Sequence, residues 1–104
     1  MYNYYDLECR YDARNCFYGK AKVEMVDLRG TKGELCSQLI KLYSYNTLVA
    51  EIEKNFEKNE IIYKYFGKYS QTTTRHQKEF FKQENLSDKE IKTLFKDGKL
   101  VKQF

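Results

Sequence analysis

Between Tyr5 and Phe66 apolar side chains fall at every second position in successive short runs; past Gly67 they fall three and four apart. A period of two lays one face of a strand against a core, and spacings of three and four do the same for a helix. That change of period predicts an α+β chain in which a sheet comes first and helices follow. The runs are closely spaced, and parallel crossovers need a dozen or more residues, so the strands pair as neighbours. The expected architecture is an antiparallel sheet of about five strands in meander order with two C-terminal helices packed on one face. At 104 residues the chain reads as one domain with a modest core, the sheet over 1–67 and the helical part over 68–104.

The first run is Tyr5–Tyr11, with Tyr5, Leu7, Cys9 and Tyr11 on one side and Asp6, Glu8 and Arg10 on the other. Asp12–Asn15 reads as a turn. A second strand spans about Cys16 to Leu28, with Ala21, Val23 and Met25 inward and Lys20, Lys22 and Glu24 outward. Gly19 within it marks a bulge or a close backbone approach. Arg29–Gly33, with two glycines, closes a hairpin. The return strand runs from about Glu34 to Ser44, although Leu35/Leu39 and Cys36/Ile40 also fit a helical spacing, which leaves 34–38 open between strand and helix. Tyr45-Asn46 reverses the chain. Thr47–Glu53 follows with Leu48, Ala50 and Ile52 inward, then a polar loop over 54–59 and a last strand, Ile61–Phe66, ended by Gly67.

Ser70 is the expected N-cap of a first helix reaching about Gln83, and Thr74 with Gln77 offers a rival capping box one turn later. Thr73, His76 and Phe80 share one face, and Phe81 aligns with Gln77 beside it. Asn85-Leu86 breaks the helix. Ser87–Glu90 is a second capping box, opening a helix striped by Ile91, Leu94 and Phe95 and closed by Gly98. Leu100, Val101 and Phe104 are expected to pack back as a tail.

Chemistry is sparse. The chain contains no nucleophile elbow, Walker loop, dinucleotide fingerprint or zinc-protease motif. Cys9, Cys16 and Cys36 form no CxxC pair, and His76, the only histidine, completes no familiar zinc set with them, so neither metal nor cofactor is expected. The three thiols read as small apolar fillers in a reducing cytoplasm. No stretch approaches the roughly 20 apolar residues of a membrane span. Glu51 and Glu53 read as a solvated strand edge rather than an acid–base pair. Catalysis is therefore not expected; a small enzyme using His76 is the third-ranked reading.

Two features carry binding. Thr72-Thr-Thr-Arg-His76 sits where sheet becomes helix. Free helical N–H groups, hydroxyls and Arg75 could hold a phosphate there. Capping and packing need only the spacing, whereas anion binding also needs exposure, so Ser70, Thr73, Thr74, His76 and Phe80 are assigned to a structural junction. The second feature is charge. Residues 1–63 carry nine Lys+Arg against ten Asp+Glu; residues 64–104 carry ten against five. Arg75, Lys78, Lys82, Lys92 and Lys96 are the candidate contacts with an acidic partner, either a protein or, as the alternative, nucleic acid.

Three blocks, Phe17-Tyr-Gly-Lys-Ala21, Leu42-Tyr-Ser-Tyr-Asn-Thr-Leu-Val49 and Tyr69-Ser-Gln-Thr-Thr-Thr-Arg-His76 with Glu79-Phe80, resemble a family of small uncharacterised proteins. That family is common in phages and mobile elements of low-GC Gram-positive bacteria, and the likeness spans roughly residues 17–83. Gln77 departs from the pattern, standing where an apolar residue is expected, and the region Glu34–Leu39 is enlarged. The resemblance implies a mobile-element setting inside a bacterial host and no assigned chemistry. From that setting the expected function is a non-catalytic accessory protein that binds and inhibits a host protein, a CRISPR effector or other defence nuclease. A monomer or an edge-strand homodimer is expected.

Overall fold

The computed structural model describes residues 2–8, 10 and 19–103. The turn expected at 12–15, Cys9, Tyr11, Cys16, the Phe17-Tyr18 pair and Phe104 lie outside them. Six strands form one antiparallel sheet in strict sequence order: β1 Tyr2–Asp6, β2 Ala21–Arg29, β3 Leu35–Ser44, β4 Thr47–Asn55, β5 Glu60–Tyr65 and β6 Lys99–Gln103. Two helices, α1 Gln71–Gln83 and α2 Asp88–Asp97, are inserted between β5 and β6. Both pack on the same sheet face, α1 over β3 and β4 and α2 over β5 and β6. The α+β meander is as expected, with one strand more.

That extra strand corrects the C-terminal part. Lys99–Gln103 is not a loose tail but pairs with β5, Tyr63 opposite Leu100 and Ile62 opposite Val101. The helical section therefore ends at Asp97, and the chain returns to the sheet. Glu34–Gln38 resolves as strand from Leu35 onward. β1 ends at Asp6, short of the expected Tyr11, and Tyr5 is exposed rather than inward. β2 starts at Ala21 because Gly19, with φ of 71°, turns the chain before it. β5 stops at Tyr65, leaving Phe66 exposed.

The core lies between sheet and helices. Inward positions of four strands supply Ala21, Val23, Ile40, Leu42, Val49, Ala50, Ile52 and Tyr63; the helices and their link supply Phe80, Phe81, Leu86, Ile91 and Leu94. Val49 and Ala50 are consecutive yet both buried, which a regular strand forbids. A register shift explains it: Leu42 faces Ala50 but Tyr43 faces Leu48, so Val49 is an extra residue in β4. Leu48, expected inward, is moved out by the same bulge and is only half-buried. Glu51 and Glu53 lie mid-sheet rather than on an edge. Glu51 stands opposite Lys41 on one side and Lys64 on the other, so opposite charges alternate across the face that the helices do not cover.

Each connection has a local cause. Tyr45 and Asn46 take φ of 50° and 69°, the two positive values a two-residue hairpin requires. The α1 exit is a Schellman motif: Leu86 N donates to Phe81 O, Asn85 N to Lys82 O, and Asn85 has φ of 69°. Lys54, now inside β4, reaches Glu84 at that exit with Nζ 3.1 Å from the carboxylate. Both α2 caps form as the spacing predicts, the Ser87/Glu90 box at the start and Gly98 at the end.

Candidate functional site

α1 presents two faces of opposite character. On its buried side Ser70 Oγ accepts from Thr73 N at 3.1 Å, which makes Ser70 the N-cap. Ser70 also donates to Thr73 Oγ1, 3.3 Å away; Thr73 Oγ1 lies 2.9 Å from Ser44 Oγ, and Ser44 Oγ lies 2.8 Å from His76 Nδ1. Ser44 is 2% exposed and His76 fully buried. A serine hydroxyl this close to an imidazole has dyad-like spacing. Here both groups sit under the helix, where the chain of hydroxyls fastens α1 to the end of β3. Phe80 is buried on the same face.

Gln77 resolves the departure noted in the sequence. Its Nε2 donates to Val49 O at 2.9 Å and Gly67 O at 3.1 Å. Val49 is the bulge residue, and its carbonyl, which also accepts from Phe66 N at 3.3 Å, gains a second donor in this amide. The rival capping box of Thr74 with Gln77 does not form, because that side chain is committed to the sheet; Thr74 Oγ1 instead donates to Ser70 O. Glu79 and Ser44 fall within the resemblance blocks, but the sequence assigns them no role. Glu79 is 2% exposed and accepts from Arg10 N at 3.0 Å and Gln83 Nε2 at 2.7 Å, while Gln83 also donates to Glu8 O. These two residues pin the segment after β1 against α1. Ser44 did carry a signal: it continues the inward series Ile40, Leu42, Ser44, where a polar side chain must find a partner.

The other face of α1 turns toward α2. Lys78, Lys82, Asp88, Ile91, Lys92 and Phe95 line a groove of about 440 Å³ between the helices. Three of the five predicted basic residues therefore converge, across a floor of Ile91 and Phe95. Phe95 stacks on Tyr65 at 4.2 Å between ring centroids, which fixes that floor to the sheet. Lys82 is held by Asp88 at 3.2 Å. Arg75 lies on the Lys78/Lys82 ridge one turn earlier, and Lys96 lies beyond Lys92 on α2; neither lines the groove.

Among the described residues no three His, Cys, Asp or Glu side chains converge as a metal site would require. Among the described residues no helix is long and apolar enough to cross a membrane. Cys36, half-buried, is unpaired with another cysteine, and burial together with the carboxylates of Glu57 and Glu34 pushes its thiol up from the ordinary value. The family model of DUF8033, a family of unknown function, matches residues 5–97. The chain belongs to the DUF8033 family. No curated protein and no solved structure matches it. The DUF8033 match takes in the junction at Ser70–Phe80 and the whole lysine groove, and ends on the last residue of α2.

Proposed function

We propose that this DUF8033 chain is a non-catalytic binding protein whose two helices dock an acidic segment of a partner protein. The observation that carries the reading is the groove: Lys78, Lys82 and Lys92 ring an apolar floor of Ile91 and Phe95. Lysines alone would suit a phosphate backbone, but a floor of Ile and Phe has no counterpart on phosphates. It does match an apolar anchor flanked by Asp or Glu, the arrangement in which a desolvated centre supplies affinity and the charged rim supplies steering. The burial of Ser44 and His76 supports leaving catalysis out, since a substrate would have to lift α1 to reach them.

From the mobile-element resemblance we infer the class of partner: a bacterial host protein in the cytoplasm, a defence nuclease such as a CRISPR effector foremost. A basic inhibitor does not imitate nucleic acid. It would instead seat on an acidic surface of its target, the carboxylates of a nuclease centre included. The test is a panel of purified defence nucleases, CRISPR effectors among them, assayed for association and cleavage with the protein present. We expect one to be bound and slowed, and the double variant Lys78→Glu/Lys92→Glu to lose about ten-fold or more in affinity while keeping its fold. No association across the panel, or undiminished inhibition by the double variant, overturns the reading.

A further inference from the structure

Where β1, β2 and the β3–β4 turn meet, apart from the groove between the helices, lies a second cleft of about 310 Å³, lined by Tyr4, Gly19, Lys20, Lys22, Tyr43, Tyr45 and Asn46. Its volume is at the lower end of small-ligand sites, of a size for one base with its sugar and phosphate. Three tyrosines meet there from three parts of the chain. Tyr4 of β1 and Tyr43 of β3 stack with ring centroids 6.1 Å apart, bridging over β2. Tyr4 and Tyr45 are each 53% exposed, so their rings are presented to solvent rather than spent in the core.

Tyr45 is a costly choice for its position. It holds φ of 50° in a turn that Gly, Asn or Asp enters with less strain. The ring is kept in place from behind by His76, at 6.0 Å between centroids, and the turn is tied to β2 by Tyr45 N donating to Lys20 O at 2.9 Å. Strain retained at an exposed aromatic in a cleft is an observation that points outward, to something the ring meets. The cleft's charge is basic at one end and acidic beneath. Lys20 and Lys22 are exposed. Asp6 lies 3.9 Å from Lys22, a loose surface pair that a phosphate could replace. Glu24 is buried under the cleft and hydrogen-bonded to Tyr43, where burial and that carboxylate hold the hydroxyl in its protonated form and fix the ring's orientation.

We propose that the Tyr4/Tyr43/Tyr45 cleft binds single-stranded nucleic acid, with base faces on the tyrosine rings and a backbone phosphate between Lys20 and Lys22. Aromatic platforms beside lysines on a sheet surface are the general means of holding unpaired bases without reading their sequence. A duplex cannot use the site, because its base faces are already stacked. This activity is separate from the helical groove in position and in chemistry, and neither depends on the other.

The test is fluorescence anisotropy of the full chain with a labelled oligothymidylate at low salt. Single strand should bind and the matching duplex should not compete. Tyr4→Ala and Tyr43→Ala should each weaken binding by about ten-fold, the loss expected when a base loses its stacking partner. Tyr43→Phe, which keeps the ring but loses its bond to Glu24, should recover most of that loss. Lys20→Glu/Lys22→Glu should weaken binding and flatten its salt dependence. Lys78→Glu/Lys92→Glu should leave it unchanged. Thermal unfolding of each variant separates lost binding from lost fold, and Tyr4, Lys20 and Lys22 are exposed enough to be replaced without harm. Absence of binding, equal affinity for duplex or for polyglutamate, or dependence on the helical lysines instead of the cleft overturns the proposal.

Discussion

Gln77 shows how much one side chain can decide. Its amide is shared by the buried Val49 O and the part-buried Gly67 O, at two points where the backbone leaves the regular ladder. Gln77→Met keeps the volume and removes the donor. Val49 O keeps Phe66 N as a donor, so the variant loses two hydrogen bonds rather than orphaning a buried carbonyl, and it should be destabilised by about 1 kcal/mol despite being more apolar. The urea midpoint measures it. A gain in stability would mean that packing volume alone matters at this position. The same reasoning separates His76 from its surroundings. Its bond to Ser44 places it in a hydroxyl chain that joins helix to strand.

At the scale of elements, α2 depends on a carboxylate with two tasks. Glu90 Oε1 accepts from Ser87 N at 2.9 Å, closing the capping box, and Oε2 meets Lys102 of β6 at 2.9 Å. The backbone bond from Ser87, then Lys102, holds the Glu90 carboxyl below its ordinary value. A group whose folded value is depressed contributes stability above the unfolded value, about 4.3, and loses it as pH falls through the folded one. Glu90→Gln should therefore cost about 1 kcal/mol near neutral pH, a cost that shrinks below about pH 4. Thermal unfolding of both proteins across that range is the check, and a pH-independent gap would refute the assignment. Both α2 caps were legible, since Ser87 through Glu90 and Gly98 are local signals. The strands were legible wherever period two held. The β4 bulge was not, because Val49-Ala50 reads equally well with one residue inward or two. β6 was not either: Lys99–Gln103 has only Leu100 and Val101 as apolar residues, and its pairing depends on where two intervening helices deliver it. The tyrosine cleft was least legible of all, since Tyr4, Lys22 and Tyr43 become neighbours only through the register of three strands.

For the whole molecule, both helices lie on one side of the sheet and no other described element covers the opposite side, an asymmetry that separates two surfaces of different chemistry. One is a lysine-ringed apolar groove; the other is an aromatic cleft. The sheet's margins differ as well. β1 and β6 are its two edges, β6 carrying Lys99 and Lys102, the charges by which edge strands resist pairing with another chain. The strand order also sets a timetable. The β2–β3, β3–β4 and β4–β5 pairings join neighbours across short turns, but β5 meets β6 only after both helices have been laid down. Closing a long loop costs entropy before its contacts repay it, so β6 should dock after the rate-limiting barrier. Leu100→Ala, at a half-buried inward position, should then speed unfolding and leave the refolding rate nearly unchanged in stopped-flow denaturant jumps; slowed refolding would place β6 in the nucleus. In kinetic terms the last strand acts as a latch: it does little to decide whether the chain finds its fold and much to decide how long the fold persists.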